Sequence, residues 1–238
     1  MKTITVAILT IALATIALEA CGKAGDSGSA GASTPNATTA ATTAAAPALT
    51  GNAALLAAAE PFEKLTEISF SAAPAVLDSA ITEVRTAATG VRVNLASDAV
   101  TRLDEQVAAI TTARRANNRA ELAIAAVEGY RILVSGSAAG MKVPAAVKLL
   151  DYAGFRYAAD VKATPERWAD MTSAVSFARE QWASIFSQVT DAALRASVER
   201  SLTDMGAAAT HRDASAAGAA AQRELALVDD LEKLFASR

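Results

Sequence analysis

Apolar residues recur every three or four positions from Leu55 to Phe235, the spacing of helix faces turned toward a core. No alternating run and no hairpin turn pair interrupts the pattern. A first helix is expected over about 54–68, carrying Leu55, Leu56, Phe62, Leu65 and Ile68, with Pro61 bending or restarting it. Pro74 suits a first turn, and Leu77, Ile81, Val84 and Ala88 follow on one face of a second helix. Ser97 is a good N-cap for a third, with Val100, Leu103, Val107 and Ile110 in line. Asn117-Asn118 marks a turn before a fourth helix over about 119–134. Two glycines place a loop at Ser135–Lys142, and Pro144 opens a fifth helix reaching about 161. Thr164-Pro165-Glu166-Arg167 reads as the start of a sixth helix, with proline in its first position. A seventh begins near Asp191 with Leu194, Val198, Leu202 and Met205, and an eighth covers about 214–236 with Leu225, Val228, Leu231 and Phe235.

The sixth helix has the clearest period. Trp168, Val175, Trp182 and Val189 recur every seven residues, and Met171, Ala178, Ile185 and Ala192 fill the other seam position. Both tryptophans are therefore expected to face the core. A bundle helix with a core stripe accounts for this pattern better than a dimeric coiled coil. The short connections imply antiparallel neighbours. The expected fold is all-α: an up-and-down antiparallel bundle of about seven to eight helices, compatible with two fused four-helix layers.

Composition narrows the chemistry. The chain is 52% hydrophobic, but much of that is alanine, which favours helix and buries little area. A net charge of −3 gives no push toward nucleic acid, and none is expected as a partner. Arg114, Arg115 and Arg119 suit the flank of a helix C-terminus. One cysteine excludes an intramolecular disulfide. The single histidine, His211, has no glutamate three residues before it, and the Gly-x-His-x-x-Glu motif of imelysin-like proteins is missing. No metal, cofactor or catalytic set is expected, and His211 is expected at the surface. Gly25-Asp26-Ser27-Gly28 resembles the nucleophile motif of chymotrypsin-like proteases, but that motif requires a β-barrel and a supporting histidine.

The first 52 residues depart from this pattern. Lys2 precedes an uncharged apolar run over 3–18, followed by Leu18-Glu19-Ala20-Cys21. This is the plan of a signal peptide, and the run is short for a membrane span. The tetrapeptide resembles the lipobox of bacterial lipoproteins, with Glu19 where a small neutral residue is usual. The resemblance implies a signal peptide over 1–20, cleavage before Cys21, and a diacylglycerol with an N-acyl chain such as palmitate on that cysteine. Several chains give a firm membrane anchor. Gly22 in place of an aspartate implies the outer membrane, facing the periplasm. Residues 22–52 are Gly, Ala, Ser, Thr and Pro with almost no charge, so the lipid-bearing tether is expected over 21–52 and the helical domain over 53–238.

One feature within the domain asks for a physical reason. Glu128-Gly129-Tyr130-Arg131 lies mid-way along the fourth helix, and Asp151-Tyr152-Ala153-Gly154-Phe155-Arg156 mid-way along the fifth. Glycine inside a helix costs about 1 kcal/mol relative to alanine. Either the helices approach closely there or the glycines line a pocket. Both acids border apolar stripes, and buried charges must be paired. Glu128, Arg131, Asp151 and Arg156 are therefore expected in one polar cluster between the two helices, with Tyr130 and Tyr152 at its rim. If that cluster is structural, Asp151→Asn should lower stability.

Anchor, tether and the lack of a catalytic set point to a non-catalytic envelope lipoprotein, its bundle a binding or scaffold module for a protein or small molecule. Carriage of an apolar molecule between helices is a second expectation. An enzyme using the carboxylates of the fourth and fifth helices is a third.

Overall fold

The computed structural model describes residues 51–137 and 141–238. Cys21, the leader and most of the tether lie outside the described residues. Eight α-helices follow one another, with no strand among the described residues: α1 (Gly51–Ile68), α2 (Pro74–Val91), α3 (Ser97–Arg115), α4 (Arg119–Gly136), α5 (Ala145–Val161), α6 (Trp168–Ile185), α7 (Ala192–His211) and α8 (Ala214–Ala236). Short 3₁₀ turns, Arg92–Asn94 and Phe186–Gln188, follow α2 and α6. Each helix packs against the next; α1 also closes onto α4, and α5 onto α8. The result is two up-and-down four-helix bundles, α1–α4 and α5–α8, sharing the α4–α5 seam.

Burial follows from this arrangement. α2 and α3 each turn one stripe inward, through Leu77, Ile81, Val84 and Ala88 on α2 and Leu103 and Ile110 on α3. α4 touches α1, α3 and α5, and is buried almost all round, from Leu122 through Val127 and again at Ile132–Val134. Its alanines let three neighbours approach it. α5 is enclosed in the same way by α4, α6 and α8. α1 starts at Gly51, two residues ahead of the expected domain boundary, and runs unbroken through Pro61.

Local chemistry sets most helix ends. Pro74 occupies the first turn of α2. Asn117 adopts a left-handed conformation at φ 53°, and Asn118 accepts from the Glu121 N–H at 3.1 Å to cap α4. Asp191 accepts from the amides of Ala193 and Leu194, and Asp213 from that of Ala216. Arg119 donates through Nη1 to the Ser69 and Ala72 carbonyls at 2.7 and 3.0 Å, satisfying acceptors of the α1–α2 connection.

Three expected helix ends differ. Ser97 is the first residue of α3, not its cap, and Ala96 in the cap position has no acceptor side chain. Thr164-Pro165 does not open α6: the Arg167 N–H donates to the Asp160 carbonyl at 3.2 Å, folding that stretch back on α5, and the helix starts at Trp168. The heptad stripe is cut short at Ile185. The 3₁₀ turn closes through the Val189 N–H on the Phe186 carbonyl, so Val189 is buried in a connection and Ala192 is exposed on α7. Trp182 is buried as expected, while Trp168 is partly buried at the edge of the core. His211 is exposed.

Candidate functional site

The α4–α5 seam carries polar groups on both sides, and Glu128 is the node of one. Its Oε1 accepts from the Tyr152 hydroxyl at 2.7 Å and from Arg156 Nη1 at 2.6 Å. Its Oε2 accepts from Arg131, one turn along α4, with Nε and Nη2 each at 2.9 Å. One carboxylate thus fixes three donors from two helices. Charge-assisted bonds of this kind are short and strong when sheltered from water.

Each nitrogen of Arg156 has a carboxylate within reach. Besides Glu128, its Nε donates to Asp160 Oδ2 at 3.1 Å, and its Nη2 reaches Asp170 Oδ2 on α6 at 3.5 Å. Asp160 is fully buried, and burial pushes its carboxyl up to about 6 against the pull of Arg156. Burial likewise raises the Tyr152 hydroxyl, helped by the Glu128 charge, so it stays a proton donor.

A half-open recess of about 310 Å³ lies above this network, lined by Arg131, Tyr152, Arg156, Asp170, Ser173, Ala174 and Phe177. Phe177 meets Tyr152 edge to face at 5.3 Å, and the Arg131 guanidinium lies 5.4 Å from the Tyr152 ring centroid. The recess has one aromatic wall and a charged floor, both held in place by their own contacts.

Asp151 and Tyr130 do not join this cluster, which corrects the expectation of a single one. Helical rotation is the reason: at about 100° per residue, Tyr130 points roughly 200° away from Glu128, and Asp151 turns away from Tyr152. The two meet on the other side of the seam, where the Tyr130 hydroxyl lies 3.5 Å from Asp151 Oδ2. Around them stand Glu63 of α1, Lys148 of α5 and Glu232 of α8. Lys148 donates to Glu232 at 2.7 Å. Burial is the main reason that the Asp151 carboxyl lies well above its ordinary value, and the charges of Glu63 and Glu232 add to it. Glu63 is raised in the same way.

The glycines mark close helix approach, the first of the two expected reasons, but the approach is to α1 and α8 and not between α4 and α5. Gly129 faces the Phe62 ring on α1, and Gly154 faces Glu224 and Leu225 on α8; a methyl at either site would collide with them. Each glycine closes its own four-helix bundle, and neither lines a pocket between α4 and α5. Glu224 is buried with neither carboxylate oxygen hydrogen-bonded among the described residues, and burial holds its carboxyl well above the ordinary range.

Sequence reasoning placed Glu128, Arg131, Tyr152 and Arg156 together. It missed Asp160, legible as the residue four after Arg156, and Asp170 and Phe177, which reach the site only through the α5–α6 turn. Among the described residues no group of three or more His, Cys, Asp or Glu side chains is arranged to hold a metal ion. No described helix is long and apolar enough to cross a membrane. No family model matches the chain, and neither the curated proteins nor the solved structures give a match.

Proposed function

We propose that this chain is a lipid-anchored envelope protein whose helical unit is a binding module, with the recess over Glu128 as its site. The observation that carries the binding reading is the division of labour in that network. Glu128 is spent holding Arg131, Tyr152 and Arg156, and the groups so held present their remaining capacity to a recess large enough for a small molecule. Prearranged donors cost little to order when a ligand arrives, which is how small sites gain affinity. The anchor half of the reading rests on the lipobox-like Leu18–Cys21 and the low-complexity stretch after it.

Two experiments test the halves separately. Cys21→Ser should move the protein from the membrane pellet to the soluble fraction after a salt and carbonate wash; persistence in the pellet defeats the anchor. For the site, the ring signals of Tyr152 and Phe177 should shift in carbon-edited NMR when a diverse fragment library is added. A library that leaves both rings unmoved defeats the recess as a binding site.

A further inference from the structure

The geometry points to a small zwitterion with an apolar side chain, an α-amino acid or a dipeptide, as the ligand of the α4–α5–α6 recess. The inference rests on the binding reading above and adds the chemical class.

The charges come first. Two guanidinium groups, Arg131 and Arg156, are met by three carboxylates, Glu128, Asp160 and Asp170. The site therefore has no surplus positive charge to hold a simple anion such as phosphate. Nor is it a cation site, since both arginines stand at its wall.

Unused valence decides what remains. Each nitrogen of Arg156 already faces a carboxylate, with only a second N–H left on Nη1 and on Nη2. Arg131 spends Nε and Nη2 on Glu128, while its Nη1 donates to no partner among the described residues. Asp170 has one long contact, 3.5 Å to Arg156, and its side chain is 46% exposed. One free donor edge and one free acceptor thus line the same recess, an arrangement that suits a carboxylate at Arg131 and an ammonium at Asp170. Phe177, Ala174 and the Tyr152 ring supply apolar lining to the same recess. The volume, about 310 Å³, is at the low end for small-molecule pockets and limits the ligand to one or two residues.

The test uses the folded mature protein with L-phenylalanine as probe, read by calorimetry and by the Tyr152 and Phe177 ring signals. L-Phenylalanine should bind with a dissociation constant below about 1 mM. N-acetyl-L-phenylalanine, which lacks the ammonium, and phenethylamine, which lacks the carboxylate, should each bind at least about tenfold more weakly. Asp170→Asn, a change at a half-exposed position whose folding is checked by its thermal melt, should abolish the preference for the free amine. Glycerophosphoethanolamine carries its charges on a phosphodiester and an amine; tighter binding of it would assign the recess to a lipid headgroup and overturn the amino-acid class. Equal binding of the acetylated probe, or no effect of Asp170→Asn, also overturns the class while the recess remains a binding site. If no fragment moves the two rings, the binding reading fails with it.

Discussion

The carboxylate of Glu224 occupies the space that a side chain at Gly154 would fill. An acid without a hydrogen-bond partner among the described residues thus sits in the α5–α8 contact, against the one residue type that admits it. Gly154→Ala should cost about 1–3 kcal/mol through overpacking. Adding Glu224→Ala should recover part of that loss, with a coupling of about 0.5–3 kcal/mol in a urea-denaturation cycle. Strict additivity would show that the two positions do not share this space.

Glu224→Met keeps the length of the side chain and removes two unpaired oxygens. It should stabilise the fold by about 1–3 kcal/mol at pH 7, because an unsatisfied buried polar group carries roughly that penalty. A destabilised variant in the same urea titration would mean that the carboxyl has an essential partner.

The pH dependence should run opposite to ordinary acid denaturation. Asp151, Glu224, Glu63 and Glu67 all have carboxyls raised in the fold, chiefly by burial, and Asp160 reaches about 6. The folded state then binds more protons than the unfolded one, so stability falls as pH rises through the folded values. The penalty is absent below the ordinary carboxylate value of about 4. Thermal melts should give a higher midpoint at pH 5 than at pH 8. Asp151→Asn should raise the pH 8 midpoint and flatten the profile, because it removes a charge beside Glu63 and Glu232. That is the reverse of the sign expected when Asp151 was placed among arginines. A profile that is flat or rises with pH in the wild type rules the argument out.

Trp182 is 6% exposed, and its indole N–H has no hydrogen-bond partner among the described residues. Trp182→Ala should cost on the order of 3–5 kcal/mol. Trp182→Phe should cost much less, since it keeps an aromatic ring against Phe186 and removes the unpaired donor. Similar losses for the two substitutions in guanidinium titrations would assign the energy to the N–H instead of the ring.

Glu128→Ala leaves Arg131 and Arg156 without their shared partner and should cost about 3 kcal/mol. Glu128→Gln keeps an acceptor for Tyr152 and should cost less. The ordering Ala worse than Gln, measured by urea denaturation, checks that hydrogen bonding as well as charge holds the floor of the recess.

Most helices were legible in the sequence because they present a repeating apolar face, and Asn118 and Asp191 announce two of their starts. Ends set by the chain folding back were not. Nothing local to Thr164–Arg167 reveals that its last amide will reach Asp160. The site was half legible. Glu128, Arg131, Tyr152 and Arg156 share a side of the seam, but Asp151 was grouped with them on proximity to the apolar stripe, and one step of helical rotation sends it to the other side. Phe177 and Asp170 come from a helix whose placement depends on the whole second bundle, so no spacing within α4 and α5 announced them.

Packing each helix against its successor has a kinetic consequence. Most tertiary contacts join segments close in sequence, and the closures, α1 onto α4 and α5 onto α8, each stay within four consecutive helices. Chains with such local contacts fold toward the fast end of the range for their size. As the polypeptide emerges from its N-terminus, all four helices of the first bundle are present before Ala145 begins α5. The surface of α4 that later meets α5 would then stand waiting as a template, so the second bundle grows onto a finished wall.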